Sequence, residues 1–127
     1  MRTIKFRGKR IDKGIWVYGG FTLDAADMPR ITVKTSDETG LEFPKVIPET
    51  VGQFTERHDE NGKEIYEKDI LSFEGRKYIV KWHGEFGRFA ALDMKHDEKD
   101  FVQLGVKMWD ETEVIGNIHD NPELLNI

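Results

Sequence analysis

The sequence contains no cysteine among its 127 residues. Disulfide bonds, thiolate metal sites, iron–sulfur clusters and a cysteine nucleophile are therefore excluded. The chain also has no apolar run near the ~20 residues that a membrane-spanning helix requires. Its basic N-terminal stretch is not followed by the apolar segment of a secretory signal. From these absences we expect a soluble, cytoplasmic protein that does not contact a membrane.

Enzyme motifs are missing as well. The only two serines, Ser36 and Ser72, lie outside the Gly-x-Ser-x-Gly pattern of a nucleophile elbow. The pair Gly19-Gly20 lacks the third glycine of a dinucleotide site, and no phosphate-binding lysine motif occurs. The four histidines do not have the spacing of metal ligands. The sequence thus predicts a non-enzymatic protein with no catalytic residue, no metal and no cofactor.

Charge is distributed unevenly along the chain. The net charge is −5, yet residues 1–14 contain six basic residues and one acidic residue. Lys5, Arg7 and Lys9 alternate with apolar or small residues, which predicts a strand with a cationic face in water. Together with Arg10 they are candidate contacts for phosphates or for a partner. The alternative is that the basic strand complements acidic neighbours in the fold or in an oligomer, and the pI of 5.4 favours it.

Short apolar and β-branched segments alternate with glycine-rich turns, and no long amphipathic helix is evident. This pattern predicts a mainly β protein, a small SH3-like barrel with an N-terminal β-hairpin extension and short helical turns. We expect one domain over residues 1–127, with an N-terminal β region at 1–56 and the barrel portion at 57–127. Strands are predicted near residues 4–9, 15–18, 31–35, 69–73, 78–82, 89–92, 102–109 and 114–118; the second either ends at Gly19-Gly20 or is prolonged over 21–23. A single tight turn is predicted at 48–52 and a helical turn at 122–125, and the charged stretch 95–100 is either a loop or one short helical turn.

Aromatic side chains supply a second set of candidate contacts. Trp82 and Phe86 flank a glycine-containing turn, which is a typical place for an exposed ring. Such rings stack on bases or hold a peptide. Core packing accounts for most of the other rings in the chain. Trp82 and Phe86 are therefore candidate contacts for nucleic acid or for a protein partner, alongside the basic strand.

Two long stretches carry a family resemblance. The first runs over residues 46–70, from Val-Ile-Pro-Glu-Thr-Val-Gly-Gln-Phe-Thr to Glu-Lys-Asp-Ile, and the second over residues 113–124, Glu-Val-Ile-Gly-Asn-Ile-His-Asp-Asn-Pro-Glu-Leu. With the opening Ile-Lys-Phe-Arg-Gly-Lys, they resemble the YopX family of phage and prophage proteins. The resemblance implies an SH3-type barrel and a bacteriophage origin. It implies no catalytic residue, because none is defined for the family.

Several residues of these stretches have a structural interpretation of their own. Asn61-Gly62 predicts a two-residue type I′ hairpin turn, which needs positive φ at both positions. Asp69 precedes a strand, where its carboxylate can accept backbone N–H bonds. Gly116 and Asn117 indicate a bulge or a close backbone approach. We interpret these positions as structural rather than chemical.

Three functional hypotheses follow. The first is a non-enzymatic interaction or assembly module that binds a host or phage protein in the bacterial cytoplasm, with homo-oligomerisation through open strand edges as an option. The second is a nucleic-acid accessory protein that uses the basic N-terminal strand. The third, an enzyme, has no motif to support it. Fold analogy does not decide among them, since SH3-like barrels serve several kinds of ligand.

Overall fold

The computed structural model describes residues 3–85, 87–94 and 103–125. These residues form eleven short strands and three short 3-10 helices, and no α-helix occurs among them. The chain divides into two compact units, Met1–Phe54 and Thr55–Ile127. This boundary lies two residues before the division expected from the sequence. No helix in the described part of the chain is long and apolar enough to span a bilayer.

Strands of the first unit form one antiparallel sheet, in the order β4-β3-β2-β1-β5. β5 extends past the boundary into the second unit, and the strand that follows it in the same sheet is β6 (Glu64–Tyr66). The single tight turn predicted at residues 48–52 is a 3-10 turn, which lies directly before β5. The elements are β1 (Phe6–Lys9), β2 (Trp16–Leu23), β3 (Pro29–Lys34), β4 (Leu41–Glu42), the 3-10 turn (Pro48–Thr50) and β5 (Gly52–His58).

A small core forms on one face of this sheet, around the fully buried Ile31 and Val46. Gly8 belongs to the same core, and a Cβ atom placed there would lie 2.9 Å from the Val46 Cβ. Val46 bridges to Arg10 at the end of β1, which brings the segment after β4 back to β1. Glycine is thus required at position 8 because the Val46 side chain occupies the space that any other side chain would need.

The second unit is built around a five-stranded antiparallel sheet in the order β10-β9-β8-β7-β11. Tight turns join β7 to β8 and β8 to β9. The closing 3-10 turn predicted near residues 122–125 is confirmed. The elements are β6 (Glu64–Tyr66), β7 (Asp69–Phe73), β8 (Arg76–His83), β9 (Arg88–Asp93), β10 (Gln103–Leu104), a 3-10 helix (Val106–Glu111), β11 (Glu113–Asn117) and a 3-10 turn (Pro122–Leu125).

The main hydrophobic core lies in this second unit. Residues two apart on β7, β8 and β9 face one side, as the period of a strand requires. Trp109, from the 3-10 helix before β11, is 2% exposed and completes the cluster. The buried members are Ile65, Leu71, Tyr78, Val80, Ala91, Leu104 and Trp109, with Phe73, Phe89 and Val114 packed against them.

Two expectations about the fold need correction. The chain is mainly β as predicted, but neither antiparallel sheet is closed, so the SH3-like barrel is not confirmed. The strand predicted over residues 102–109 is wrong for its second half, where residues 106–111 form a 3-10 helix. Its alternating apolar residues suit a strand, but Trp109 reaches the core from a helical turn instead. Of that segment, residue 102 lies outside the described residues, as does the charged stretch 95–100.

Candidate functional site

The three cations of β1 share one sheet face, as their spacing predicts. Arg7 lies opposite Tyr18 and Lys9 lies opposite Trp16 in the register of β1 with β2. The Arg7 guanidinium carbon is 4.7 Å from the centroid of the Trp16 ring, and the Lys9 Nζ is 5.9 Å from it. These separations are those of cation–π contacts. The strand thus lays its positive charges on aromatic rings of its own unit.

The prediction that this cationic face lies in water is wrong for Arg7. The residue is only 6% exposed, and Ile4, expected on the core side, is 64% exposed. Lys5 and Lys9 are half-buried, and the Lys5 Nζ is 5.3 Å from the centroid of the buried Phe54 ring. A guanidinium is planar and weakly hydrated, so it can be buried against an indole at lower cost than an ammonium. Alternation alone therefore did not reveal which side of β1 is solvated.

Arg10 does not join this group. Its guanidinium pairs with the Asp12 carboxylate at 2.8 Å and approaches Glu42 at 4.0 Å. The hydrogen bond from Arg10 lowers the pKa of Asp12. Position 10 alternates with Lys9, so its side chain lies on the opposite face of the strand. Three of the four predicted basic contacts therefore share a face and the fourth does not.

Trp82 belongs to the second unit and is 54% exposed. It lies opposite Phe89 in the β8–β9 hairpin, with ring centroids 5.1 Å apart in an edge-to-face arrangement. Phe86, the other predicted ring, lies outside the described residues. The structure thus places Trp82 on the surface, as predicted, at the end of the apolar face of the hairpin.

The remaining predicted positions have structural roles. Asp69 is buried and its Oδ2 accepts the Tyr66 N–H at 2.8 Å. The register of β11 with β7 shifts between Val114 and Gly116, and a Cβ at Gly116 would collide with the Asn121 side chain. The Asn117 Oδ1 accepts the N–H groups of two residues in the following turn. The bulge and the close approach expected at 116–117 are thus present.

The turn after β5 differs from the type I′ geometry predicted for Asn61-Gly62. Gly62 has φ of 79°, but Asn61 does not have a positive φ. The Asp59 Oδ1 accepts the N–H groups of Asn61 and Lys63, both at 2.9 Å. An aspartate that bonds the backbone two and four residues ahead organises the turn instead. Asp59 is the important residue that the sequence analysis missed, and Asp followed by Asn-Gly was the available signal.

An open groove of about 480 Å³ lies beside Asp59 in the second unit. All of its lining residues are charged or titratable, and both signs of charge are represented. The Asp59 carboxylate is already engaged by three backbone N–H groups, the third from Val114. It is therefore a poor candidate for acid–base chemistry. No cluster suited to hold a metal ion occurs among the described residues. The groove is lined by Glu56, Arg57, His58, Asp59, Lys107 and Asp110.

Exposed apolar residues are concentrated in the first unit. Of the eleven large hydrophobic residues that are exposed in the described part of the chain, eight precede residue 55. β2 contributes Phe21 at 40% and Leu23 at 52%, which share a sheet face with the buried Ile31. Three more, Tyr18 at 48%, Leu41 at 58% and Phe43 at 48%, lie on β2, on β4 and directly after β4. Isolated exposed apolar residues are ordinary, but a concentration of them marks an interaction surface. None of these three residues was singled out from the sequence.

Register places these three residues on one face. Tyr18 alternates with Gly20, which lies opposite Thr32. Lys34, two residues further along β3, lies opposite Leu41. The segment after β4 keeps the same register, since Lys45 bridges to Arg30. We call this surface the β2–β4 face; it consists of Tyr18, Gly20, Arg30, Thr32, Lys34, Leu41, Phe43 and Lys45.

The β2–β4 face carries positive charge. Lys34 and Lys45 are both exposed, and neither forms an ion pair within the part of the chain that the structure describes. Arg30 pairs with Asp24 at 3.0 Å and donates to the Phe43 carbonyl at 2.7 Å. At this end of the face, Arg30 and Lys45 line a groove of about 320 Å³ with Ile11, Asp12 and Pro44.

The carboxylates nearest this face are held in turns. The pKa of Asp24 is lowered by hydrogen bonds from the Met28 and Ala26 N–H groups and from Arg30. In the β3–β4 turn, the Thr35 hydroxyl and the N–H and hydroxyl of Thr39 lower the pKa of Asp37 to about 2. These carboxylates organise the turns at the ends of the face rather than lie on its strands.

A family model described as the YopX protein matches residues 5–126. The chain belongs to the YopX family. The structure is similar to the crystal structure of protein EF1440 from Enterococcus faecalis, with a TM-score of 0.58, 24% sequence identity, and coverage of 99% of this chain and 100% of that chain. At this identity the likeness concerns the fold alone. No curated protein matches the chain.

Family membership agrees with the placement of the motif residues. Asp69, Gly116 and Asn117 of this YopX protein bond or pack against backbone in the second unit. Their contacts support the turns and strand pairing of the second unit. The exposed features of the chain lie elsewhere, on the β2–β4 face and at Trp82.

Proposed function

We propose that this YopX protein is a non-enzymatic interaction module that recognises another protein through its first unit. The observation that carries the proposal is the exposure of Tyr18, Leu41 and Phe43 on one sheet face. Burial of such side chains in a complex stabilises it by about 25 cal/mol for each Å² removed from water. Rings are enriched at the centres of protein interfaces.

The biological setting of the proposal is a bacteriophage or prophage, with the protein in the bacterial cytoplasm and a host or phage protein as partner. The family resemblance supports this setting. The order β10-β9-β8-β7-β11, with a 3-10 helix directly before β11, supports the proposal that the second unit is a variant of the SH3-like barrel. In such a variant the second unit is a scaffold and the first unit is the recognising part.

Affinity capture tests this function. Tagged protein is expressed in lysogenic cells and captured at low salt, with and without nuclease treatment. The matched variants are Leu41→Ser/Phe43→Ser on the β2–β4 face and Met108→Ser, which alters an exposed apolar residue of the second unit. We expect a protein partner that persists after nuclease, is lost with the double variant and is retained with Met108→Ser. A partner captured equally well by all three proteins contradicts the proposal.

A nucleic-acid accessory role is the second candidate. It is favoured by the cations of β1 that lie against Trp16 and Phe54, because cations and rings together bind single strands. The burial of Arg7 and the pairing of Arg10 with Asp12 make it the weaker candidate. It predicts binding to oligothymidylate that falls steeply with salt and is reduced by Lys5→Ala/Lys9→Ala. Absence of binding at low salt would eliminate it.

Self-association is a separate possibility for the same surface. β4 lies at the edge of its sheet, and an open edge can pair with a second copy. Sedimentation over a range of concentrations measures the mass directly. A mass that rises with concentration and returns to the monomer value in Leu41→Ser/Phe43→Ser would make a second copy the occupant.

A further inference from the structure

We propose that the β2–β4 face binds an extended acidic peptide segment that also carries apolar side chains. This inference rests on the proposed function and names the chemistry of the partner. The segment would lie along β4, with its carboxylates toward Lys34 and Lys45 and its apolar side chains on Leu41 and Phe43. Four features of the face support this assignment.

The first feature is charge. The β2–β4 face has cations at three strand positions and no Asp or Glu at any of its strand positions. Glu42 lies between Leu41 and Phe43 but points to the opposite face, where it approaches Arg10. Arg30 is already paired with Asp24, so the charge available to a partner is that of Lys34 and Lys45. These two lysines are complementary to an anionic partner, and complementary charge sets specificity and the rate of association.

The second feature is the spacing of the exposed side chains. Leu41, Phe43 and Lys45 alternate along one chain segment, so their side chains follow one another at about 7 Å. An extended peptide has the same repeat. A segment with apolar and acidic side chains at every second residue would therefore place its apolar side chains on Leu41 and Phe43 and its carboxylate on Lys45. A folded partner with carboxylates scattered over its surface would not match this repeat.

The third feature is the shape of the face. Gly20 and Thr32, which lie opposite each other, are small and separate Tyr18 from Phe43. The groove of about 320 Å³ next to Arg30 and Lys45 adds depth at one end. Its exposed apolar wall is Ile11, which is 51% exposed. The small residues beside Phe43 and the neighbouring groove, which Asp12 also lines, leave room for a peptide chain.

The fourth feature is the position of β4 (Leu41–Glu42) at the edge of the sheet. This edge ends before Lys45, whose carbonyl already accepts the Ile11 N–H at 3.1 Å. An edge strand offers backbone groups to an added strand, and this pairing supplies affinity without sequence preference. Side-chain contacts on the β2–β4 face then supply the specificity. Backbone pairing with the edge and side-chain contacts on the face can both form only if the peptide runs alongside β4.

Nucleic acid is the less suitable occupant. The rings nearest the β1 cations, Trp16 and Phe54, have those cations within 6 Å of their centroids, and the Phe54 ring is buried. Base stacking requires an open ring face. The net charge of −5 also disfavours the approach of a polyphosphate. An acidic peptide has far lower charge density and gains apolar contacts that a phosphate backbone does not make.

Fluorescence anisotropy with defined probes tests this inference. The probes are a short labelled peptide in which Leu, Phe and Glu stand two apart with Ser between them, the same peptide with Gln in place of Glu, and labelled oligothymidylate. The variant Lys34→Glu/Lys45→Glu reverses the charge of the face. Lys13→Glu/Lys107→Glu makes the same charge change at two exposed lysines elsewhere and is the matched control. Thermal melts of all proteins verify that each variant is folded.

We expect the wild type to bind the Glu peptide about tenfold more tightly than the Gln peptide, a difference of about 1.4 kcal/mol. Affinity should fall about tenfold in Lys34→Glu/Lys45→Glu and remain unchanged in the control. Equal loss in both double variants, equal affinity for the two peptides, or tighter binding of oligothymidylate would each overturn the inference. A captured protein partner that is retained by Lys34→Glu/Lys45→Glu would leave the proposed function standing and overturn only the acidic-peptide assignment.

Discussion

The Oδ2 atom of Asp59 accepts the backbone N–H of Val114 at 2.9 Å, although the two residues are 55 positions apart in the chain. The other carboxylate oxygen holds the turn after β5 through Asn61 and Lys63. One buried side chain therefore fixes a local turn and ties it to the start of β11. This arrangement explains why a turn between two short strands has a defined structure.

Replacement of Asp59 should destabilise the second unit. In Asp59→Ala the N–H groups of Asn61, Lys63 and Val114 lose their acceptor, and a donor left unpaired away from water costs about 1–3 kcal/mol. We expect a loss of about 3 kcal/mol for Asp59→Ala. Asp59→Asn keeps one acceptor oxygen and should lose about half as much. Urea unfolding measures both, and equal stability of the three proteins would contradict this role.

Acid should weaken the same anchor. Burial raises the pKa of Asp59, but the N–H groups of Val114, Lys63 and Asn61 outweigh it and the net pKa is lowered. A carboxyl group whose folded pKa is below its unfolded value of about 3.9 stabilises the fold above that pH. This contribution is lost as the pH falls through the folded pKa. The stability difference between wild type and Asp59→Asn should therefore shrink as the pH falls below the unfolded pKa of about 3.9.

The contact of Gly8 with Val46 predicts a steric effect in the first unit. Gly8→Ala places a Cβ 2.9 Å from two atoms of the fully buried Val46. Overpacking of this kind costs about 1–3 kcal/mol. Gly20→Ala in β2 is the control, because its Cβ would meet Thr32 at an ordinary 3.8 Å. Thermal melts should show a lower midpoint for Gly8→Ala only, and equal midpoints would show that Val46 can move aside.

Arg7 should matter more than its neighbours for stability. It is buried and stacks on Trp16, whereas Lys9 is half-buried and lies farther from the same ring. Loss of a cation–π contact costs about 2 kcal/mol where the cation is buried. The cost is about 0.5–1 kcal/mol where the cation is exposed. Arg7→Ala should therefore destabilise more than Lys9→Ala. If the two substitutions had the same effect on the urea midpoint, Arg7 would have to be a surface residue in solution.

Much of the fold could be predicted from local patterns. The hairpin of β7 and β8 has strong period-two alternation and a Glu-Gly turn, and its strands begin and end within about two residues of the prediction. β2 was expected either to end at Gly19-Gly20 or to be prolonged over residues 21–23, and it continues to Leu23. Backbone pairing with β3 holds the glycines in the strand despite their low propensity.

Burial was harder to predict than strand position. The alternation of Lys5, Arg7 and Lys9 correctly placed them on one face, but it did not show that Trp16 would cover Arg7. That cover depends on the register of a neighbouring strand, which no local pattern specifies. The β2–β4 face could not be predicted for the same reason, because Tyr18, Leu41 and Phe43 come from separated segments. Only the pairing of β3 with its two neighbours brings them to one surface.

The most direct test of the account is to map where the acidic peptide binds. Amide chemical shifts of isotope-labelled protein are followed by NMR during titration with the Glu-containing peptide. We predict that the largest shifts fall on β3 and β4, at Lys34, Leu41 and Phe43, with smaller shifts along β1. Shifts confined to the second unit, or centred on Lys5 and Lys9, would contradict the claim that the β2–β4 face is the recognition surface.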